Sequence, residues 1–82
     1  GVVLLDVHGL PPLAQGRVYQ VWVIDAAGKP IPAGTFDRSA ATRAVAADPR
    51  ADRAIAITAE PGPLGSPQPT GAILAQAPIP AA

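Results

Sequence analysis

Apolar residues recur at every second position in a series of short runs, and glycine or proline separates one run from the next. That period belongs to strands. The richest run is Gly16–Ile24, which holds two of the chain's three aromatic residues. Val18, Val21, Val23 and Ile24 are β-branched, stiff at χ1 and suited to a pleated surface. Alternation places Val18, Gln20, Trp22 and Ile24 on one face and Tyr19, Val21 and Val23 on the other. Both faces are largely apolar, so the run reads as a central strand covered on both sides. A helix would also group Val18 with Trp22, but the run is too short and too β-branched to favour one.

The same pattern yields the other elements. Val2–Val7 is an expected first strand, with Val3, Leu5 and Val7 on one face and Val2, Leu4 and Asp6 on the other. His8–Gly16 is a turn region in which Pro11 and Pro12 cannot donate to a ladder, and Leu10 and Leu13 are its expected anchors to the core. Asp25–Lys29 reads as a hairpin turn, with Gly28 supplying a positive φ. Ile31–Phe36 is a short strand that Pro30 and Pro32 confine to an edge or to irregular pairing, and Gly34 marks a bulge or a close backbone approach. Asp37–Arg53 carries the weakest pattern. Within it Ala40–Ala46 reads as a strand with Thr42, Ala44 and Ala46 on one face, in preference to one or two helical turns, and Asp48-Pro49 breaks it. Ala54–Glu60 is a clear strand, with Ile55 and Ile57 pointing one way and the small Ala54, Ala56 and Thr58 the other. Pro61–Gly71 is a long loop with four prolines and three glycines. Ala72–Ala75 is a last short strand, stopped by Pro78 and Pro80. About six short strands and no secure helix predict an all-β fold, a small antiparallel β-sandwich or partial barrel.

Composition narrows the functional classes. Residues 1–82 make a single small β domain, and a strand beginning almost at the first residue points to a piece of a longer chain cut upstream. A chain of this size buries only ~60% of the surface its unfolded form exposes. Its core therefore rarely supplies more than ~3–5 kcal/mol of net stability, so each large side chain matters. Six basic and six acidic residues cancel, and no run of like charges occurs. That excludes the clustered Lys and Arg of a nucleic-acid or acidic-membrane footprint. The chain has no cysteine, which removes disulfides and thiolate metal sites. No stretch approaches the ~20 apolar residues of a membrane span.

Candidate chemistry is sparse. The lone His8 lies near Asp6, while Asp25, Asp37, Asp48 and Asp52 are scattered, too few groups at ligand spacing for a metal site. Ser39 and Ser66 are the available nucleophiles with His8 as sole base, and Gly65-Ser66-Pro67 lacks the strand–turn–helix setting of a nucleophile elbow. Gly28-Lys29 runs into Pro30 and lacks the upstream glycine of a phosphate loop. Glu60, at a strand end before the proline loop, is the best single carboxylate. Its expected role is to accept hydrogen bonds from backbone N–H groups of that loop. No Pro-x-x-Pro spacing supports recognition by a proline-reading domain. Tyr19 and Trp22 would stack on a sugar only if exposed, and their spacing sends them to opposite faces. No catalytic, cofactor or metal site emerges, and the reading is a non-enzymatic binding or structural domain.

Taken together, Gly9–Leu13, Gly16–Ile24, Pro32–Phe36, Ile57–Pro61 and Gly65–Gly71 closely resemble the C-terminal domain of RskA-type anti-sigma-K factors. The family pattern runs from a Leu-Pro turn into a Tyr-Gln-Leu-Trp-Leu-Ile strand, then a Gly-x-Phe strand. A Thr-Val-Glu-Pro strand end and a Gly-Ser-x-x-Pro-Thr-Gly loop follow. This chain departs in having Leu64-Gly65 where the family has Gly-Gly, and Gly71-Ala72 where it often has Gly-Pro. The family domain also carries strand material before the position of Gly1, and a lost strand leaves an open edge that a second copy would pair.

The resemblance implies a modular regulator. An N-terminal cytoplasmic segment would hold an extracytoplasmic-function sigma factor, one membrane helix would follow, and this domain would sit on the extracytoplasmic side of the bacterial membrane. Regulated proteolysis, with a protease or envelope partner, would release the sigma factor. The sensing surface is expected on the Glu60–Gly71 loop or the Asp37–Arg53 segment. An extracellular adhesion or glycan-binding module is the alternative, and a hydrolase fragment comes third.

Overall fold

Two antiparallel sheets face each other in a computed structural model that describes residues 1–80. The strands are β1 (Val2–Val7), β2 (Arg17–Asp25), β3 (Pro30–Phe36), β4 (Ala41–Ala46), β5 (Asp52–Pro61) and β6 (Ile73–Pro78). The larger sheet has the order β3-β2-β5-β6, and β1 pairs with β4 in a separate two-stranded sheet. The all-β expectation holds, as a sandwich of unequal layers.

Strand β2 sits inside the larger sheet, between β3 and β5, as its apolar faces require. Its Tyr19, Val21 and Val23 point inward with Ile55 and Ile57 of β5. Val7 and Val45 from the smaller sheet close over them, joined by Leu10, Phe36 and Ala47 just past β4. Each such aliphatic side chain contributes ~1.5–3 kcal/mol when fully buried. The Tyr19 ring lies 5.1 Å from that of Phe36, and its hydroxyl donates to the Pro11 carbonyl, tying the Pro11–Pro12 turn to the core. Leu10 is buried and Leu13 half-buried, so both anchor that turn as expected.

The punctuation residues act where alternation places them. Gly28 has φ 82° in the β2–β3 turn, where the Asp25 carboxylate accepts from the Ala27 and Lys29 N–H groups at 2.9 and 2.8 Å. The proline-bearing β3 is an edge strand, and Gly34 (φ 117°) lies where its register to β2 shifts, forming a bulge. Strand β4 carries Thr42, Ala44 and Ala46 outward, and Val45 inward.

Two boundaries differ from expectation by two residues or more. Strand β5 begins at Asp52 rather than Ala54, because Asp52 still pairs with Asp25 beyond a register shift. Strand β6 spans Ile73–Pro78 rather than stopping at Ala75. Pro78 lies opposite Ala54, and on an edge strand a residue facing away from the ladder loses nothing by lacking an N–H.

Candidate functional site

The outer face of the larger sheet carries Val18, Gln20, Trp22 and Ile24 from β2 and Ala54, Ala56, Thr58 and Glu60 from β5. In an isolated sheet this face would meet water. Instead Gln20, Thr58 and Glu60 are 2%, 1% and 0% exposed, the buried polar residues of the chain's described part. What covers them is the Pro61–Gly71 loop, which crosses the face as a strap.

The strap is fixed at successive points. Gly62 donates to the Gly16 carbonyl at 2.8 Å and passes so close to Val18 that an added Cβ would lie 3.1 Å from its methyl. At Ser66 the Gln20 amide clasps the backbone in both directions. Nε2 donates to the Ser66 carbonyl at 2.9 Å, and Oε1 accepts from the Ser66 N–H at 2.8 Å. Gly65 (φ 78°) brings the chain down to that contact, since an added Cβ there would lie 2.3 Å from Gln20 Oε1. Beyond it, Thr70 and Gly71 reach Glu60.

Glu60 is the hub. Its carboxylate accepts from the Thr58 hydroxyl at 2.5 Å, the Thr70 hydroxyl at 2.6 Å, the Thr70 N–H at 3.1 Å and the Gly71 N–H at 3.4 Å. Thr58 also accepts from the Trp22 indole N–H at 2.8 Å, so Trp22 is wired into the same chain of bonds. Burial pushes the Glu60 carboxyl up in pKa. The hydrogen bonds from the Thr58 and Thr70 hydroxyls and from the Thr70 backbone outweigh burial and hold it at about 2, against an ordinary value of 4.5. The result is an ionised carboxylate neutralised by dipoles, with every buried side-chain polar atom among the described residues satisfied.

Such a carboxylate is poorly suited to proton transfer. An acid–base catalyst works best with a pKa near the operating pH, and this one is held far below it with its oxygens already engaged. The expected role of Glu60 as acceptor for the strap is observed. The role of Gln20, 46 residues from its partner, was not foreseen. Its one signal was an amide on an otherwise apolar strand face.

The other candidates do not assemble. His8 Nε2 lies 3.2 Å from Asp6 Oδ1, both side chains exposed, at the end of β1 in the opposite layer from Ser66. Ser39 sits in a bend, where its carbonyl accepts from the Leu10 N–H. Asp25, Asp48 and Asp52 accept from backbone N–H groups of their own turns, and no metal-holding group of three occurs among the described residues. Tyr19, Trp22 and Phe36, the chain's three aromatics, are 1%, 0% and 6% exposed. The surface aromatic on which a glycan-binding reading relied is therefore not available, because β2 needs both of its faces covered.

A family model described as the C-terminal part of anti-sigma-K factor RskA matches residues 1–79. The anti-sigma-K factor RskA of Mycobacterium tuberculosis strain H37Rv is 44% identical over 79 residues, which cover 93% of this chain and 34% of that protein. The proteins of the same description from Mycolicibacterium vanbaalenii and Mycobacterium ulcerans are 42% and 40% identical, again over 93% of this chain and over 32% and 33% of theirs. The chain spans about a third of the length of these relatives. No solved structure matches it. With residues 1–79 matched by the family model and relatives 40–44% identical over 93% of its length, the chain belongs to the anti-sigma-K factor C-terminal domain family.

Proposed function

We propose that residues 1–82 form one non-catalytic β domain of a membrane-anchored anti-sigma factor, on the extracytoplasmic side of the bacterial membrane. Its parent restrains an extracytoplasmic-function sigma factor through an N-terminal segment outside these residues. The domain is the regulatory end, and a protease or envelope partner acts on the parent to relieve the restraint. One observation carries this reading: the match to proteins named anti-sigma-K factors runs through residues 1–79, the span in which the clamp lies. The use of Gln20, Thr58, Glu60 and Thr70 in holding the strap supports the non-catalytic part, since their polar atoms are committed to one another.

Fusions to the full parent test it. A phosphatase active only outside the cytoplasm, joined after Ala82, is expected to be active, and a β-galactosidase at the same place inactive. Deleting residues 1–82 from the parent is expected to change transcription from promoters read by the partner sigma factor. The reverse fusion pattern, or unchanged transcription, would contradict the proposal.

A further inference from the structure

The outer face of the larger sheet, strap included, shows no charge to solvent. To the outward residues of β2 and β5, β3 adds Pro30, Pro32 and Thr35, and β6 adds Ile73, Gln76 and Pro78. Glu60 is the one ionisable group among them, and it is 0% exposed. From Pro61 onward the chain has no charged residue, so the strap adds none. The exposed charges lie instead in the turns, at strand ends and on the smaller sheet. A surface that meets only water mixes charges of both signs, whereas depletion of charge marks the centre of an interface.

The face is also stepped. At one end, where Gln20 lies opposite Thr35 and Thr58, the strap stands on the sheet. It turns Pro63, Leu64, Pro67 and Pro69 outward, all exposed, with Leu64 at 89%. Leu64 stands over β2 and β3, because its neighbour Gly65 rests on the Gln20 and Thr35 side chains. At the other end, where Ile24 lies opposite Pro30, the strap stops short. A recess of about 270 Å³ remains there, lined by Trp22, Ile24, Pro30, Ala56, Pro69 and Ile73. One face thus carries an apolar knob and an apolar hole.

We infer that a second copy of this chain docks on the strap face, each Leu64 seated in the other copy's recess. The contact is face to face and uses no strand edge, and it goes beyond the function proposed above. Turning a copy by 180° about an axis across the strands lays each strap over the other's bare end. Position across the sheet is kept in that rotation, so Leu64, above Gln20 and Thr35 on β2 and β3, arrives over Ile24 and Pro30 on the same two strands. Charge singles out a copy as the occupant. In a two-fold interface a patch meets itself, and charged patches would then set like charges opposite one another. This face has none to oppose. Four strands at ~4.8 Å spacing and six residues at ~3.3 Å give about 400 Å² per copy in projection, hence on the order of 1,000 Å² of accessible surface between two copies. That is the low end for a specific interface, so the association is reversible.

Cysteine pairs in the intact parent test this, since residues 1–82 have no cysteine of their own. Two differently tagged parents, with any cysteine outside these residues changed to serine, are co-expressed and treated with a short bismaleimide. Leu64→Cys in one copy is expected to link to Pro30→Cys in the other several-fold more than to Ala44→Cys, which is exposed on the smaller sheet. Leu64→Glu puts a carboxylate into each recess and is expected to weaken self-association of the purified parent roughly tenfold or more in sedimentation. Circular dichroism is expected to stay unchanged, because the side chain it replaces is exposed. Equal linking to Pro30→Cys and Ala44→Cys would overturn the inference. So would linking of Leu64→Cys to a different protein or to lipid in place of its copy, or self-association unaffected by Leu64→Glu. None of these outcomes depends on sigma-factor restraint or compartment, so failure here is separable from failure of the proposed function.

Discussion

Replacing Glu60 by Gln keeps the shape of the hub and removes its charge. The carboxylate accepts from two hydroxyls and two backbone N–H groups. A glutamine offers one acceptor oxygen and turns an NH2 group toward donors that already need acceptors. The folded carboxyl titrates at about 2 against an ordinary 4.5, and at 1.36 kcal/mol per pKa step the difference corresponds to roughly 3 kcal/mol. In a domain whose whole margin is ~3–5 kcal/mol, Glu60→Gln should leave little stability at pH 7. The pH dependence follows from a depressed folded pKa. The contribution is complete above pH 4.5 and falls as pH drops toward 2, so at pH 3 about 1–1.5 kcal/mol should remain. Urea titration followed by fluorescence is a direct assay, because Trp22 is the only tryptophan and is fully buried. Equal stability of the two proteins at pH 7 would refute the reasoning. A gap that stays constant between pH 7 and pH 3 would refute the electrostatic part of it.

Other substitutions separate the parts of the clamp. Trp22→Phe keeps an aromatic under the strap and loses the bond to Thr58, with an expected cost of ~1–3 kcal/mol in urea titrations followed by circular dichroism. Gly65→Ala and Gly9→Ala both place a side chain at positive φ, but only the first drives a Cβ into Gln20 Oε1. The Gly65 variant should therefore lose ~1 kcal/mol or more beyond the Gly9 variant by the same titration. His8→Ala should shift the thermal midpoint by no more than ~0.5 kcal/mol equivalent, since its pair with Asp6 is exposed.

Much of the fold was legible because strand period is a local property. The two-faced apolar run of β2, the prolines of β3 and the glycine at its bulge each state their place within a few residues. Strand β4 was faint for a physical reason. Its alanine-rich sequence has little preference of its own, and pairing with β1 is what makes it a strand. The start of β5 at Asp52 and the reach of β6 to Pro78 depend likewise on what lies opposite. The site divides the same way. Glu60 and the strap are close in sequence, so a carboxylate awaiting the loop's amides could be foreseen. The Gln20–Ser66 clasp and the Trp22–Thr58 bond join residues 46 and 36 apart, and no periodicity announces such partners.

Amide exchange along the strap tests the central claim, that Gln20, Thr58 and Glu60 form a clamp holding the Pro61–Gly71 loop onto the Trp22 face. Residue-resolved exchange by NMR reads it directly, because the Ser66 and Thr70 N–H groups bond only to the Gln20 and Glu60 side chains and to no strand. The account predicts that these two amides exchange nearly as slowly as Val21 and Ile57 in the core, opening only when the domain unfolds. Exchange of Ser66 and Thr70 at the rates of an unprotected loop, with the core amides still slow, would contradict it.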